Sequence, residues 1–273
     1  MTNLTLPCMV YYCTQPLYMS FVHLHTHSHY SLLGAVPKVK ALVAAAKEDG
    51  QTAMALTDNG NMYGAIEFYD VCTRNEIKPI IGIDAYIAAR SRFDMDPEQD
   101  MRRHRLVLLA ENNEGYKNLI RLVTASYNEG FFHRPRMDKE LLERWSSGVI
   151  AIIPAHGGEH LGALRGDAPE EAQAIARSYK DIFGAHNTFL EITHHPELEG
   201  HEYYMEKVQA LSAATEIPLV AAQNVYYLTP EDREAREVML NIQSETTPEE
   251  EGYFEEEDFS FITQKEAAKR FKN

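Results

Sequence analysis

The sequence is short of cysteine and of basic side chains. Its 273 residues include three cysteines, Cys8, Cys13 and Cys72, and none belongs to a Cys-x-x-Cys pair. This odd count argues against a disulfide framework and a zinc ribbon, and it fits a reducing, cytoplasmic setting. Lysine and arginine number 26 against 41 aspartates and glutamates, a net charge of −15. A free-standing basic nucleic-acid-binding module is therefore excluded, whereas a hydrolase that holds phosphates through metal ions is not.

Long apolar runs are missing as well. No stretch approaches the roughly 18–20 residues that a membrane-spanning helix needs, so we expect no membrane partner. Residues 1–18 carry no lysine or arginine, and Pro7 and Pro16 interrupt their apolar stretch, which does not fit a signal peptide. Met19 opens the first strong pattern. We interpret residues 1–18 as upstream translation or a disordered lead, with an extra edge strand as the alternative.

The opposite end of the chain is acidic. Between Glu245 and Asp258 there are eight acids and no base, which is typical of a solvated loop. The pattern that follows predicts the start of a helix over Thr263–Phe271. We therefore divide the chain into a barrel domain, residues 19–243, and an acidic loop with the start of a connection to a further region, residues 244–273.

Segments with strand and helix periodicity alternate through the middle of the chain, which indicates an α/β fold. Strands that are apolar throughout and alternate with helices favour a parallel sheet covered on both faces. About seven such units, without a GxGxxG sequence or a P-loop, favour a closed (β/α) barrel over an open doubly wound sheet. The predicted strands are Phe21–His25, Thr52–Thr57, Pro79–Ala88, Leu106–Ala110, Val149–Ile153, Thr188–Ile192 and Leu219–Ala222. The predicted helices are Pro37–Asp49, Tyr63–Arg74, Glu114–Tyr127, Pro169–Phe183, Glu202–Ala214 and Pro230–Ile242.

Histidines and carboxylates follow several of these strands, at the ends where barrels carry their function. Imidazole and carboxylate groups are ligands of divalent cations. His25 and His27 alternate on an extended chain, so both imidazoles can reach one metal. Asp84 lies in an apolar strand, where an unpaired carboxylate is costly to bury. With Asp58 and His195 they form the set of candidate metal ligands; a polar strand face for the histidines and a turn or helix cap for Asp58 are the alternatives.

Catalysis by a Ser/His/Asp triad is not supported, because no serine lies in the strand-to-helix context of a catalytic nucleophile. No catalytic residue is assigned from these patterns.

Four stretches resemble a known family. Residues His23–Ser28, Leu56–Tyr69, Ile77–Gly82 and Leu106–Ala110 are together similar to the PHP (polymerase and histidinol phosphatase) domain. The similarity is to the variant that opens the alpha subunit of bacterial replicative DNA polymerase III, and it covers about residues 20–270. It implies a distorted (β/α)7 barrel, a trinuclear phosphoesterase centre of the zinc or manganese type, and a polymerase region further along that is absent here.

Several ligand positions of that family carry other residues in this chain. His25, His27 and His195 match, whereas Asp84 stands where the family usually has Glu. Arg105 places a permanent cation where a metal is held in the family. The departures, in chain order, are Gly34 for Asp, Asn59 for His, Arg105 for His, Ala155 for Cys, Asn224 for Asp and Tyr226 for His. The resemblance therefore implies a partly dismantled centre rather than a three-metal hydrolytic site. One divalent metal of the zinc or manganese type could still bind through His25, His27, Asp84 and His195, at reduced occupancy or absent.

Two further histidines lie one residue away from departed ligands. His104 lies on a predicted strand, where a displacement of one residue reverses the facing of the side chain, so it cannot substitute. His156 lies in a loop and could turn towards the site.

Two functions stay open on the sequence alone. The missing ligands favour a structural and interaction domain, which braces the polymerase, contacts a separate proofreading exonuclease subunit, and meets DNA only through the full-length polymerase. The retained histidine pair favours an active metal-dependent phosphoesterase, acting as a 3′–5′ exonuclease, a pyrophosphatase or a histidinol-phosphatase-like enzyme. The sequence leaves open whether the chain has an enzymatic activity of its own.

Overall fold

A curled sheet with helices packed against it forms the centre of the fold. The computed structural model describes residues 21–243 and 258–272; the predicted lead at 1–18 and the acidic run up to residue 257 lie outside these ranges. The strands are β1 (His25–Thr26), β2 (Ala53–Leu56), β3 (Lys78–Ala88), β4 (Arg103–Ala110), β5 (Phe131–Phe132), β6 (Arg134–Met137), β7 (Val149–Ile153), β8 (Thr188–Ile192), β9 (Leu219–Ala221) and β10 (Asn224–Val225). The helices are α1 (Val39–Glu48), α2 (Ala65–Arg74), α3 (Asn113–Asn128), α4 (Lys139–Arg144), α5 (His160–Arg165), α6 (Pro169–Phe183), α7 (His201–Thr215), α8 (Arg233–Gln243) and α9 (Gln264–Arg270).

The strands follow one another around a distorted barrel. The sheet order is β5-β6-β3-β4-β7-β8-β9, with β2 paired to the first part of β3. β1 pairs with β10. The chain at and just before β1 also accepts hydrogen bonds from β2 and the residue after it: the amides of Ala55 and Thr57 donate to the carbonyls of His23 and Thr26, both at 2.8 Å. β10 follows β9 in the chain after two residues, so we count the two as a single strand of the barrel. The predicted distorted (β/α)7 barrel is confirmed.

Two strands run against their neighbours: the short β5, which pairs antiparallel with β6, and the long β4. β4 pairs antiparallel with both β3 and β7, so the prediction of a wholly parallel sheet is wrong at this strand. Residues 89–102 connect β3 to β4 without a helix, and a parallel connection would need a crossover of about a dozen residues or more, usually helical. The reversal brings the start of β4, with Arg105, to the rim where the parallel strands end.

The predicted helices are found within a few residues of their expected bounds. α6 matches its predicted range and begins with Pro169, whose missing amide hydrogen costs nothing at a helix start. α9 lies within the predicted helical segment, and the side chain of Thr263 caps it by accepting from the Glu266 amide. The short elements α4, α5, β5, β6 and β10 were not predicted, because two to six residues show too little periodicity. Within the described residues no helix is both long and apolar enough to span a bilayer.

Two apolar layers lie on either side of the sheet. On β4, Leu106 and Leu108 face outward and belong to the large core beneath the helices. Val107 and Leu109 alternate with them and pack inside the barrel. Because facing alternates along a strand, Arg105 shares the inward direction of Val107.

Arg136 on β6 is fully buried and holds the backbone of the β3–β4 loop. Its Nη2 donates to the carbonyls of Arg92 at 3.0 Å and Asp94 at 2.7 Å, and its Nη1 to that of Asp100 at 3.4 Å. Its Nε donates to the carbonyl of Gly130 at 3.1 Å. Burial lowers the pKa of this guanidinium, which nevertheless stays charged. One side chain thus fixes the loop to the sheet.

Candidate functional site

Three buried side chains meet at the rim of the barrel. Nε2 of His25 and Nε2 of His27 lie 3.1 and 3.3 Å from the same oxygen, Oδ2 of Asp84. The two histidines occupy alternate positions of an extended segment and therefore face the same way, while Asp84 extends from the middle of β3. All three are at most 2% exposed. Their ligand atoms lie within 4.8 Å of one another, so the set can hold a divalent cation.

Arg105 shares the Asp84 carboxylate. Its Nε donates to Oδ1 at 3.1 Å and its Nη2 to Oδ2 at 2.5 Å, and Nη2 also donates to Oδ1 of Asn59. The guanidinium carbon lies 4.3 Å from the ring centroid of Tyr86. Burial favours the neutral carboxyl, but Arg105 and the two histidines outweigh it and hold the pKa of Asp84 well below its usual range. A permanent cation therefore binds both oxygens of the acid in the three-residue set.

A second carboxylate, Glu191 on β8, contacts the other side of His25. Its Oε1 lies 2.9 Å from Nδ1 of His25, and its Oε2 accepts from the Ala155 amide at 2.9 Å. Burial lowers the pKa of His25, but Glu191 and Asp84 more than offset it and raise the pKa to about 9. At His27 burial dominates and lowers the pKa to about 4. The sequence reasoning missed Glu191, although a lone acid in an apolar strand is the signal that singled out Asp84.

The buried charges at this rim balance one another. Asp84 and Glu191 are the carboxylates, and Arg105 and protonated His25 are the cations that contact them. Buried ions are tolerated when they are paired and hydrogen-bonded. Each of the two acids thus has a cationic or imidazole partner within the cluster.

Asp58 is not brought into the three-residue set. Its carboxylate accepts from the Ser28 amide at 2.7 Å and from the hydroxyls of Ser28 and Ser31 at 2.9 and 2.6 Å. Burial raises the pKa of this carboxyl to about 6, against the opposing effect of these hydrogen bonds. In this arrangement Asp58 shapes the turn after β1, and its role as a metal ligand stays a prediction.

His195 also lies outside the set, within a neighbouring group of histidines. Its ring centroid lies 5.8 Å from that of His156 and 5.4 Å from that of His201. Nδ1 of His195 lies 3.1 Å from a carboxylate oxygen of Glu197, and its buried Nε2 has no hydrogen-bond partner among the described residues. Its role as a ligand likewise stays a prediction. His104 lies on the outer side of β4, as its position predicts.

Among the residues that the structure describes, one group of donors fits a single cation, and no second such group is found. Two imidazole nitrogens and a carboxylate form a common set for a divalent ion, and Glu191 on Nδ1 of His25 is the kind of contact that orients a metal-bound histidine. Tyr226, at a departed ligand position, stacks on His27 with ring centroids 4.0 Å apart. A phenol coordinates a metal only once it is deprotonated, with a reference pKa near 10. A single cation would also compete with Arg105 for Asp84.

Comparisons with known proteins agree with the sequence resemblance. The family model described as "PHP domain" matches residues 23–195. DNA polymerase III subunit alpha of Treponema pallidum (strain Nichols) is 40% identical over 225 residues, covering 82% of this chain and 19% of that protein. The subunit of the same name from Deinococcus radiodurans is 38% identical over 252 residues, covering 89% and 18%. The chain thus spans about one fifth of the length of these curated relatives.

A solved structure shows the same fold. It is described as a putative metal-dependent phosphoesterase from Bifidobacterium adolescentis, and it superposes with a TM-score of 0.50 at 10% sequence identity, covering 91% of this chain and 96% of that one. At that identity the match concerns the fold alone. The family model spans most of the barrel and includes both histidines of the rim and Asp84. The chain therefore belongs to the PHP domain family.

Proposed function

We propose that this chain is the PHP region of a DNA polymerase III alpha subunit and acts there as a structural and interaction domain. The observation that carries this proposal is the bond of Arg105 to both oxygens of Asp84. In this arrangement the Arg105 guanidinium neutralises the Asp84 carboxylate, as metal ions neutralise the acids of a hydrolytic centre. The relatives that share its sequence are named as alpha subunits, which supports the polymerase context.

The partners follow from that context. In this proposal the barrel domain, residues 19–243, braces the remainder of the polymerase chain, and residues 244–273 are the start of the connection to it. A proofreading exonuclease subunit is the second partner, and DNA is met only through the full-length polymerase, in the cytoplasm. The net charge of −15 supports the proposal that DNA is bound only through the full-length polymerase, because a strongly acidic chain binds DNA poorly by itself.

A divalent cation of the zinc or manganese type, where bound, would be held by His25, His27 and Asp84. His195 and Asp58 are the further ligands proposed from the sequence. Such an ion lowers the pKa of a bound water and so supplies a nucleophile at neutral pH. Glu191 orients the His25 ring through Nδ1, and Arg105 opposes the ion by holding its carboxylate.

An active phosphoesterase is the second candidate, because the histidine pair and an acid still converge. It would act on phosphoesters as a 3′–5′ exonuclease, a pyrophosphatase or a histidinol-phosphatase-like enzyme. Arg105 counts against it, since the guanidinium competes with a metal for the shared carboxylate.

Metal content and hydrolysis of the purified 273-residue chain separate the two candidates. We expect less than one equivalent of tightly bound metal by elemental analysis, and no release of nucleotides from a 3′-labelled oligonucleotide with added zinc or manganese. Two or more tightly bound equivalents, with an exonuclease activity that His25→Ala abolishes and His186→Ala retains, would overturn the structural proposal. His186 is an exposed histidine and serves as the matched control.

The interaction half of the proposal has its own test. The chain is titrated with the proofreading exonuclease subunit of the same bacterium, and complex formation is followed by analytical ultracentrifugation. A one-to-one complex is the expected result. Failure of both this chain and the full-length polymerase to bind the exonuclease would remove that partner.

A further inference from the structure

The helix α8, at the end of the barrel domain, has an apolar face that it does not bury. Four apolar residues recur along it at the i, i+3, i+4 and i+7 positions: Ala235, Val238, Met239 and Ile242. Residues at this spacing share one face of a helix, which we call the α8 stripe. Val238 is 54% and Ile242 is 67% exposed, Ala235 is exposed and Met239 is half-buried. A helix at a protein surface ordinarily turns such a stripe towards the core, so the exposure of this one calls for a partner.

A different side of α8 holds the helix to the barrel. Arg236 is 6% exposed, and its Nε donates to the carbonyl of Gly34 at 3.1 Å. Its guanidinium carbon lies 4.2 Å from the ring centroid of Tyr226. Successive residues of an α-helix are turned by about 100°, so Arg236 leaves the helix in a different direction from the stripe. The helix is therefore fixed in place without using the stripe, which lowers the entropy lost when a partner binds there.

The same arginine contacts the segment that follows the barrel domain. Its guanidinium carbon lies 4.6 Å from the ring centroid of Phe259, which is 2% exposed. In the proposed function residues 244–273 are the start of the connection to the remainder of the polymerase chain. The described part of this connection thus packs against α8. Since this chain spans about one fifth of the length of its curated relatives, the region beyond the connection is large enough to cover the stripe.

Charge favours the same partner. Glu234 lies one turn before Val238 and borders the stripe, within a chain whose net charge is −15. A protein region that holds DNA needs clustered lysine and arginine, and in the proposed function this task falls to the remainder of the polymerase. An apolar groove with a basic border complements the stripe and its acidic edge.

We propose that the α8 stripe is a docking surface for the remainder of the polymerase chain, which receives Val238 and Ile242 in an apolar groove. Amphipathic helices dock in this way through anchors at the i, i+3, i+4 and i+7 positions. The inference rests on the proposed function and deepens it, because it names the surface through which the barrel braces the polymerase.

Thiol labelling measures whether the stripe is covered. Val238→Cys is made in the 273-residue chain and in the full-length polymerase subunit of the same bacterium, and the rate of reaction with a maleimide is read at that position by mass spectrometry. The matched control is Glu237→Cys, on the opposite side of α8, where the native side chain is 51% exposed. We expect Val238→Cys to react about tenfold or more slowly in the full-length subunit than in the shorter chain, because a covered thiol is poorly accessible. Glu237→Cys should react at similar rates in both, and circular dichroism checks that the variants are folded.

A second measurement separates this inference from the proposed function. The temperature at which a protease releases peptides from the barrel is compared between the 273-residue chain and the full-length subunit. A higher temperature in the full-length subunit, with Val238→Cys labelled equally fast in both, overturns the inference and leaves the bracing role in place. An unchanged temperature together with fast labelling overturns both. Slow labelling already in the 273-residue chain, or slow labelling only after the exonuclease subunit is added, assigns the stripe to another occupant and overturns the inference.

A charged substitution tests whether the stripe itself makes the contact. Ile242→Glu, added to Val238→Cys in the full-length subunit, should raise the labelling rate about fivefold or more, because a charge cannot be buried in an apolar groove without a large cost. Glu237→Gln in the same background is the control and should leave the rate unchanged. An unchanged rate with Ile242→Glu would show that the thiol is covered by something other than docking of the stripe.

Discussion

Replacing Arg105 by methionine is the sharpest test of the charge-balanced rim. The change keeps an unbranched, flexible side chain, although a shorter one, and removes the charge and the hydrogen-bond donors. Asp84 is 1% exposed and would then keep only the two histidines as partners. Removing one partner of a buried ion pair costs roughly 3–5 kcal/mol. For a domain of this size, roughly 4 kcal/mol corresponds to a fall in the melting temperature of about 10 °C.

The same substitution should open the site to a metal. A guanidinium and a divalent ion on one carboxylate are separated by roughly 5 Å, where their repulsion is about 7 kcal/mol at an effective dielectric constant of about 20. If about 2.7 kcal/mol of this repulsion is relieved when Arg105 is removed, the affinity of the site for the metal rises about a hundredfold. A bound metal at a hundredfold excess over its dissociation constant restores about 2.7 kcal/mol of stability.

The assay is urea unfolding in EDTA and in zinc, for the wild type and for Arg105→Met. We expect the wild type to be insensitive to zinc, and the variant to be unstable in EDTA and largely restored by zinc. Arg121→Met is the control, because Arg121 lies over Trp145 at the surface of α3, outside the rim. A wild type that gains as much stability from zinc as the variant, or a variant as stable as the wild type in EDTA, would refute the reasoning.

Three further predictions concern stability. Glu191→Gln weakens the contact with protonated His25 and should lower the free energy of unfolding by roughly 3 kcal/mol in urea melts, since it leaves a buried cation underpaired; a loss below about 0.5 kcal/mol would contradict the balanced cluster. Burial lowers the pKa of His160 to about 4. Below about pH 6.5 this histidine therefore binds a proton in the unfolded chain but not in the native state. Between pH 6.5 and 4 the free energy of unfolding of the wild type should fall by about 1.4 kcal/mol per pH unit relative to that of His160→Gln. Above pH 7 the two should show no such difference in slope. Asp138 caps α4 and pairs with Arg92, so Asp138→Ala should cost about 3 kcal/mol in thermal melts; an unchanged melting temperature would show that the cap and the pair are redundant.

Most of the barrel could be predicted because its long elements have strong periodicity. α3 and α6 are each about four turns long, and their apolar stripes give both their existence and their approximate bounds. The direction of β4 could not be read in this way, because an apolar strand has the same composition whether it runs parallel or antiparallel. Only the lack of a helix between residues 89 and 102 hinted at the reversal.

At the candidate site, local spacing predicted the contacts within one segment and could not predict those between segments. The alternation of His25 and His27 gave their shared direction, and the apolar setting of Asp84 indicated that it needed a partner. The partner of His25 on β8 depends on barrel closure, which brings Glu191 within reach across 166 positions of sequence. The hydroxyls that bind Asp58 come from a turn whose shape follows from packing.

The burial of Arg136 has a consequence for how the molecule opens. Its guanidinium binds four backbone carbonyls, three of them in the β3–β4 loop. Releasing that loop would leave a buried cation with most of its hydrogen bonds broken. Local opening of the loop therefore has a high free-energy cost. It should instead exchange its protected amide hydrogens together with β6, as part of one cooperative unit. A long connection on the surface of the barrel thereby acquires the dynamics of its core.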